Sequence, residues 1–89
     1  MVYQNRASIT KVFREEYKKE YDEYPNTEVN ENTYIFRDLH LDIPLGRLGA
    51  ITLVEAVADR FNIPRANITN KLKNRDYKFG EILDIFQEA

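Results

Sequence analysis

Asp38, His40 and Asp42 alternate along the chain, so a locally extended segment would turn two carboxylates and an imidazole to one side. Such a set could begin a metal site, but nothing in the sequence suggests a fourth ligand. Aspartates at this spacing in a loop ordinarily hold backbone amides, so we expect no metal and no cofactor. Nucleophiles are equally scarce. His40 is the single histidine, Ser8 the single serine, and there is no cysteine. No Ser-His or Cys-His pairing can be assembled from these, and the carboxylates are spread over charged stretches instead of being set in pairs among apolar neighbours. The reading is a protein that is not an enzyme.

Six tyrosines and five phenylalanines remain. Tyr17, Tyr21 and Tyr24 recur at helical spacing and could stack on bases, but tyrosine also buries its ring while keeping its hydroxyl at the rim. We therefore expect all three to pack the core.

These residues must be positioned by one small domain, 1–89, because a chain of 89 residues cannot divide its core and still offset the entropy of ordering the backbone. Hydrophobic residues at 43% and charged residues at 31% are the balance of a folded globule. No apolar run approaches the roughly 20 residues that span a bilayer, and the polar start MVYQNRAS lacks the apolar stretch of a signal peptide. With no cysteine, a cytoplasmic location is expected.

The net charge is only −2, but it is sorted. Residues 1–46 carry six basic and nine acidic side chains; residues 47–80 carry seven basic (Arg47, Arg60, Arg65, Lys71, Lys73, Arg75, Lys78) and three acidic (Glu55, Asp59, Asp76). Glu81, Asp84 and Glu88 close the chain. A basic middle between acidic ends could face an acidic partner.

Periodicity predicts four helices. The first runs from about Ser8, a plausible N-cap, to Tyr24 before Pro25, with Ile9, Val12, Phe13, Tyr17, Tyr21 and Tyr24 as its apolar stripe. A connection of about twenty residues follows, too long to lie unpacked; Val29, Tyr34, Ile35, Phe36, Leu39 and Leu41 are its packing candidates. The second helix is expected over about Leu48 to Phe61, with Ile51, Val54, Val57 or Ala58, and Phe61 inward. A short third runs from Arg65 to about Lys73, carrying Ile68 and Leu72. The fourth begins near Tyr77 and buries Phe79, Ile82, Leu83 and Phe86, with Gly80 lowering its propensity by about 1 kcal/mol. The fold class is all-α.

Order and spacing of these pieces resemble the acyl carrier protein family from Ser8 to Ala89. EVNENTYIFRDLHLD, Glu28 to Asp42, is similar to the family's first loop and its Asp-Leu-Gly-x-Asp sequence, with His40 in place of the glycine. LGAITLVEAVADRFNI resembles the second helix, FNIPRANITNKL the passage into a short third, and YKFGEILDIFQEA the fourth. The resemblance implies a four-helix acyl-carrier-like bundle with a long loop between helices 1 and 2 and a short helix 3. In that family an Asp-Ser-Leu motif at the start of helix 2 carries phosphopantetheine on its serine. Counting back from Phe61, Gly46, Arg47 and Leu48 fall on the motif; counting forward from Asp42, Ile43 and Pro44 take the serine and leucine positions. Neither count supplies a hydroxyl, and Thr52 lies inside the helix where its χ1 is restricted. What the resemblance implies is a non-catalytic carrier-like protein that cannot be phosphopantetheinylated. It would act as a protein-protein interaction module through helices 2 and 3, with Arg47, Thr52, Glu55, Asp59, Arg60 and Arg65 as the partner-binding residues. Since the family's docking surface is acidic and this one is basic, a protein partner with an acidic surface is expected, and no membrane.

Residues 54–73 also resemble a helix-turn-helix of the phage-repressor type, with Ala58 at the small position, Asn62 where the turn usually has glycine, and Ile68 buried. This alternative is a DNA-binding transcriptional regulator exposing Arg65, Asn67, Thr69, Asn70, Lys71 and Lys73 to phosphates and base edges. The net charge of −2 falls short of what phosphate neutralisation asks, so nucleic acid is the second reading.

Overall fold

The computed structural model describes residues 5–25, 28–39, 50–73 and 75–88. It is an all-α fold of four helices: α1 Arg6–Tyr21, α2 Ala50–Arg60, α3 Arg65–Thr69 and α4 Phe79–Glu88. α1 packs against both α2 and α4, and α3 packs on α2. Among the described residues no helix is long and apolar enough to cross a membrane.

α1 begins earlier than expected. Asn5, not Ser8, is the N-cap, its Oδ1 accepting the Ala7 N–H at 2.7 Å, and Ser8 lies exposed within the first turn. It also ends earlier, at Tyr21, because Asp22 adopts φ 61° and donates its N–H to the Lys18 carbonyl at 2.7 Å. The stripe is correspondingly shorter. Ile9, Val12 and Phe13 are buried and Tyr17 packs against the core, whereas Tyr21 is 40% and Tyr24 47% exposed. Tyr24 lies beyond the helix and takes the Lys18 ammonium at 4.8 Å and the Arg14 guanidinium at 5.4 Å from its ring centre.

In α2 the inward positions are Leu53, Val54, Val57 and Ala58, with Ile51 and Phe61 partly buried; the expected start at Leu48 lies outside the described residues. α3 stops at Thr69 instead of Lys73, although Ile68 and Leu72 are both buried as expected. α4 starts two residues later than expected because Tyr77 and Lys78 stay outside the helix, Lys78 forming an isolated antiparallel bridge with Tyr34. Phe79, Ile82, Leu83 and Phe86 are buried, and the Phe13 and Phe79 rings meet at 4.8 Å.

The first connection is held to α4 through hydrogen bonds that a helix start leaves open. Phe79 N–H goes to the Thr33 carbonyl at 2.7 Å and Gly80 N–H to the Glu31 carbonyl at 3.1 Å. A Cβ on Gly80 would sit 3.0 Å from that carbonyl oxygen, so this glycine permits a close approach that outweighs its cost in helix propensity. Thr33, buried, donates its hydroxyl to the Glu28 carbonyl and accepts the Asn30 N–H, both at 2.9 Å. Val29, Ile35 and Leu39 enter the core; Phe36 does not, and Leu41 lies outside the described residues. Arg6 ties the ends together, reaching Glu31 at 2.8 Å and both Asp84 and Gln87 at 2.7 Å.

Candidate interaction surface on α2 and α3

The turn between α2 and α3 is built by Asn62, whose φ of 57° reverses the chain, and by the Ile63 N–H donating to the Ala58 carbonyl at 2.9 Å. Asparagine tolerates this left-handed conformation better than most residues with a Cβ. Ala58 and Ile68 are fully buried where the two helices meet. That geometry aims Arg65, the first residue of α3, back at α2.

Arg65 Nε and Nη2 donate to the two carboxylate oxygens of Asp59 at 3.0 and 2.6 Å, and its Nη1 lies 3.8 Å from Glu55. The bidentate bond holds the Asp59 carboxyl below its ordinary range and raises the guanidinium, but Arg65 and Asp59 are exposed and Glu55 only half-buried, so the screened cluster contributes little to stability. Arg60 belongs to another neighbourhood. It reaches α1, donating to Glu16 at 2.8 Å and Glu15 at 3.0 Å, with Glu16 largely buried beneath it.

Of the expected partner-binding residues, the structure thus brings Glu55, Asp59 and Arg65 together and sets Arg60 against α1. Thr52 is half-buried in the first turn of α2, and Arg47 lies outside the described residues. The two described arginines of this set are each already met by two carboxylates, which neutralises much of the positive surface that the sequence count suggests.

The expected DNA-contacting residues are more dispersed. Asn67, Asn70, Lys71 and Lys73 are exposed, while the Thr69 hydroxyl donates to the Arg65 carbonyl at 3.1 Å. α3 has only five residues. Lys71 and Lys73 line a shallow groove of about 340 Å³ with Arg75 and Tyr77, whose other wall includes Glu81 and Asp84. As for the alternating set, Asp38 accepts the Tyr34 N–H at 2.8 Å, and His40 and Asp42 lie outside the described residues. No group of three or more metal-ligating side chains occurs among the described residues.

Two contributors escaped the sequence reading. Asp76 is one: its Oδ1 accepts the N–H groups of Phe36 and Tyr77, both at 2.9 Å, and its Oδ2 that of Arg37 at 3.3 Å. Arg6 is the other, since partners 25 and 78 residues away leave no local signal. Comparison of the chain with protein-family models, curated proteins and solved structures returns no match.

Proposed function

We propose that this chain is a non-catalytic, acyl-carrier-like interaction module that cannot be loaded with phosphopantetheine, and that it docks on a protein partner through α2 and α3. One observation carries the reading. From Ile35 to Ile51, the stretch that spans both placements of the attachment motif, the sequence contains no serine, threonine, tyrosine or cysteine. Four helices in the order long, medium, short, medium, with a first connection packed into the core, support the carrier resemblance. The exposed Ser8 stands in the first turn of α1, far along the chain from that stretch, and Thr52 sits half-buried in a helical turn. Only contact with a partner is left of a carrier's work.

Arg47 falls at the attachment position in one of the two counts. Near a helix N-terminus an arginine is disfavoured by about 0.3–1 kcal/mol, so its place is better explained by a bidentate contact with a partner's carboxylate. Incubation with a broad-range phosphopantetheinyl transferase and coenzyme A tests the reading: the intact mass stays unchanged.

The helix-turn-helix alternative has its own support in the left-handed Asn62 and the buried Ala58 and Ile68. Against it, Arg65 is engaged by Asp59 and α3 is barely more than one turn, which leaves little helix to enter a major groove. Duplex DNA binding is therefore expected to be weak, non-specific and steeply reduced by salt. Nanomolar, sequence-selective binding lost in Asn67→Ala would establish the alternative.

A further inference from the structure

Phe36 is 52% exposed, yet the backbone of the loop that carries it is held by hydrogen bonds on both sides of the ring. Tyr34 N–H is held by Asp38, Ile35 N–H by the Tyr77 carbonyl at 2.8 Å, and the N–H groups of Phe36 and Arg37 by Asp76. Every amide from Tyr34 to Arg37 is thus committed, and the aromatic ring is presented from a rigid base. An exposed phenylalanine gains nothing for folding by standing in water, whereas a rigidly held one binds with little further loss of entropy.

The charge beside it is unbalanced. Arg37 stacks its guanidinium 4.0 Å from the Tyr34 ring centre, and the Lys78 ammonium lies 5.7 Å from the same ring. Among the described residues neither cation has a carboxylate partner, while Arg6, Arg60, Arg65 and Arg75 all do. The nearby acids are spent: Asp38 and Asp76 accept backbone N–H groups, and Glu81 takes Arg75 at 2.8 Å and the Lys78 N–H at 2.9 Å. An aromatic anchor flanked by tyrosine and free cations has the composition of an interface hot spot for an anionic partner.

We infer that Tyr34, Phe36, Arg37 and Lys78 form a docking surface for an acidic amphipathic segment of a partner protein. The segment's apolar residues cover Phe36 while its carboxylates meet Arg37 and Lys78. This rests on the interaction-module reading but moves the partner's charged contact from α3 to the first connection. A nucleic-acid strand fits less well, because among the described residues of this surface Phe36 alone offers a well-exposed ring and stacking needs successive platforms.

The probe is a synthetic helical peptide of about four turns, leucine at three- and four-residue steps and glutamate elsewhere, followed by NMR amide shifts at about 0.15 M salt. Perturbations should centre on Tyr34 to Arg37 and on Lys78. Phe36→Ala, and Arg37→Glu combined with Lys78→Glu, should each weaken binding by about tenfold or more with unchanged helical circular dichroism. A peptide with lysine in place of glutamate should not bind. The proposal fails if the acidic peptide does not bind, if Phe36→Ala binds it as the parent does, or if oligothymidylate displaces it from these residues. Shifts confined to Glu55, Asp59 and Arg65 would overturn this surface and leave the interaction-module reading standing. That reading has its own failure in a gain of phosphopantetheine.

Discussion

Gly80 shows how a residue can look like a defect in sequence and prove to be a requirement in space. In a helix interior, replacing glycine by alanine gains about 1 kcal/mol of propensity, and less at Gly80, the second residue of α4. Here the new methyl would meet a backbone carbonyl at 3.0 Å and the Glu31 Cβ at 3.1 Å, neither of which can swing aside like the end of a long side chain. Crowding of this kind costs about 1–3 kcal/mol and outweighs the gain. Gly80→Ala is therefore expected to lower stability by about 1–2 kcal/mol in urea unfolding, whereas a stabilised variant would mean that the first connection is not held against α4 as described. The contact joins residues far apart in sequence, so no local pattern announces it. The same holds for Arg6 and Asp76, whose partners come from other segments. Asn62, by contrast, was legible, because few other residues accept a left-handed turn and the helical pattern had to break near it.

At the scale of elements, the four helices follow from apolar spacing, and so does most of the core, because burial of Phe79, Ile82, Leu83 and Phe86 contributes about 1.5–3 kcal/mol each whatever surrounds the helix. Their ends were less legible. α1 runs from Asn5's cap to Asp22's left-handed turn because local hydrogen bonds decide an end, and an unbroken tyrosine series continues past it. α4 begins at Phe79 because Lys78 is drawn into the bridge with Tyr34. Glu81 then reaches back to the Lys78 N–H at 2.9 Å, the carboxylate half of a capping box, while also holding Arg75. The Arg75 bond first, and the Lys78 N–H second, depress the Glu81 carboxyl below its ordinary value of 4.5. The folded state keeps Glu81 ionised to lower pH than the unfolded chain, so its contribution is full above about 4.5 and is lost as pH falls through the depressed value. Thermal unfolding of the parent and of Glu81→Gln should differ at neutral pH, with the parent the more stable, and converge in acid. A difference that widened below pH 4.5 would contradict the assignment.

For the whole molecule, the sorting of charge along the chain was visible at once, but its meaning changed on folding. Of the six described basic residues in 47–80, Arg60, Arg65 and Arg75 are matched by carboxylates, two of them through bonds that cross from one element to another. Lys71, Lys73 and Lys78 stay exposed without a carboxylate partner among the described residues, and a count along the sequence cannot separate a paired cation from a free one. The proposed carrier-like reading rests on order, spacing and the absence of a hydroxyl at the attachment position, so it is tested most directly by placing a serine there. The intact mass should be measured after incubation with phosphopantetheinyl transferase and coenzyme A for the parent, for Gly46→Asp combined with Arg47→Ser, and for Ile43→Ser. The account predicts an unmodified parent and the addition of one phosphopantetheine to a restored variant. A modified parent, or restored variants that fold yet are never loaded, would contradict it.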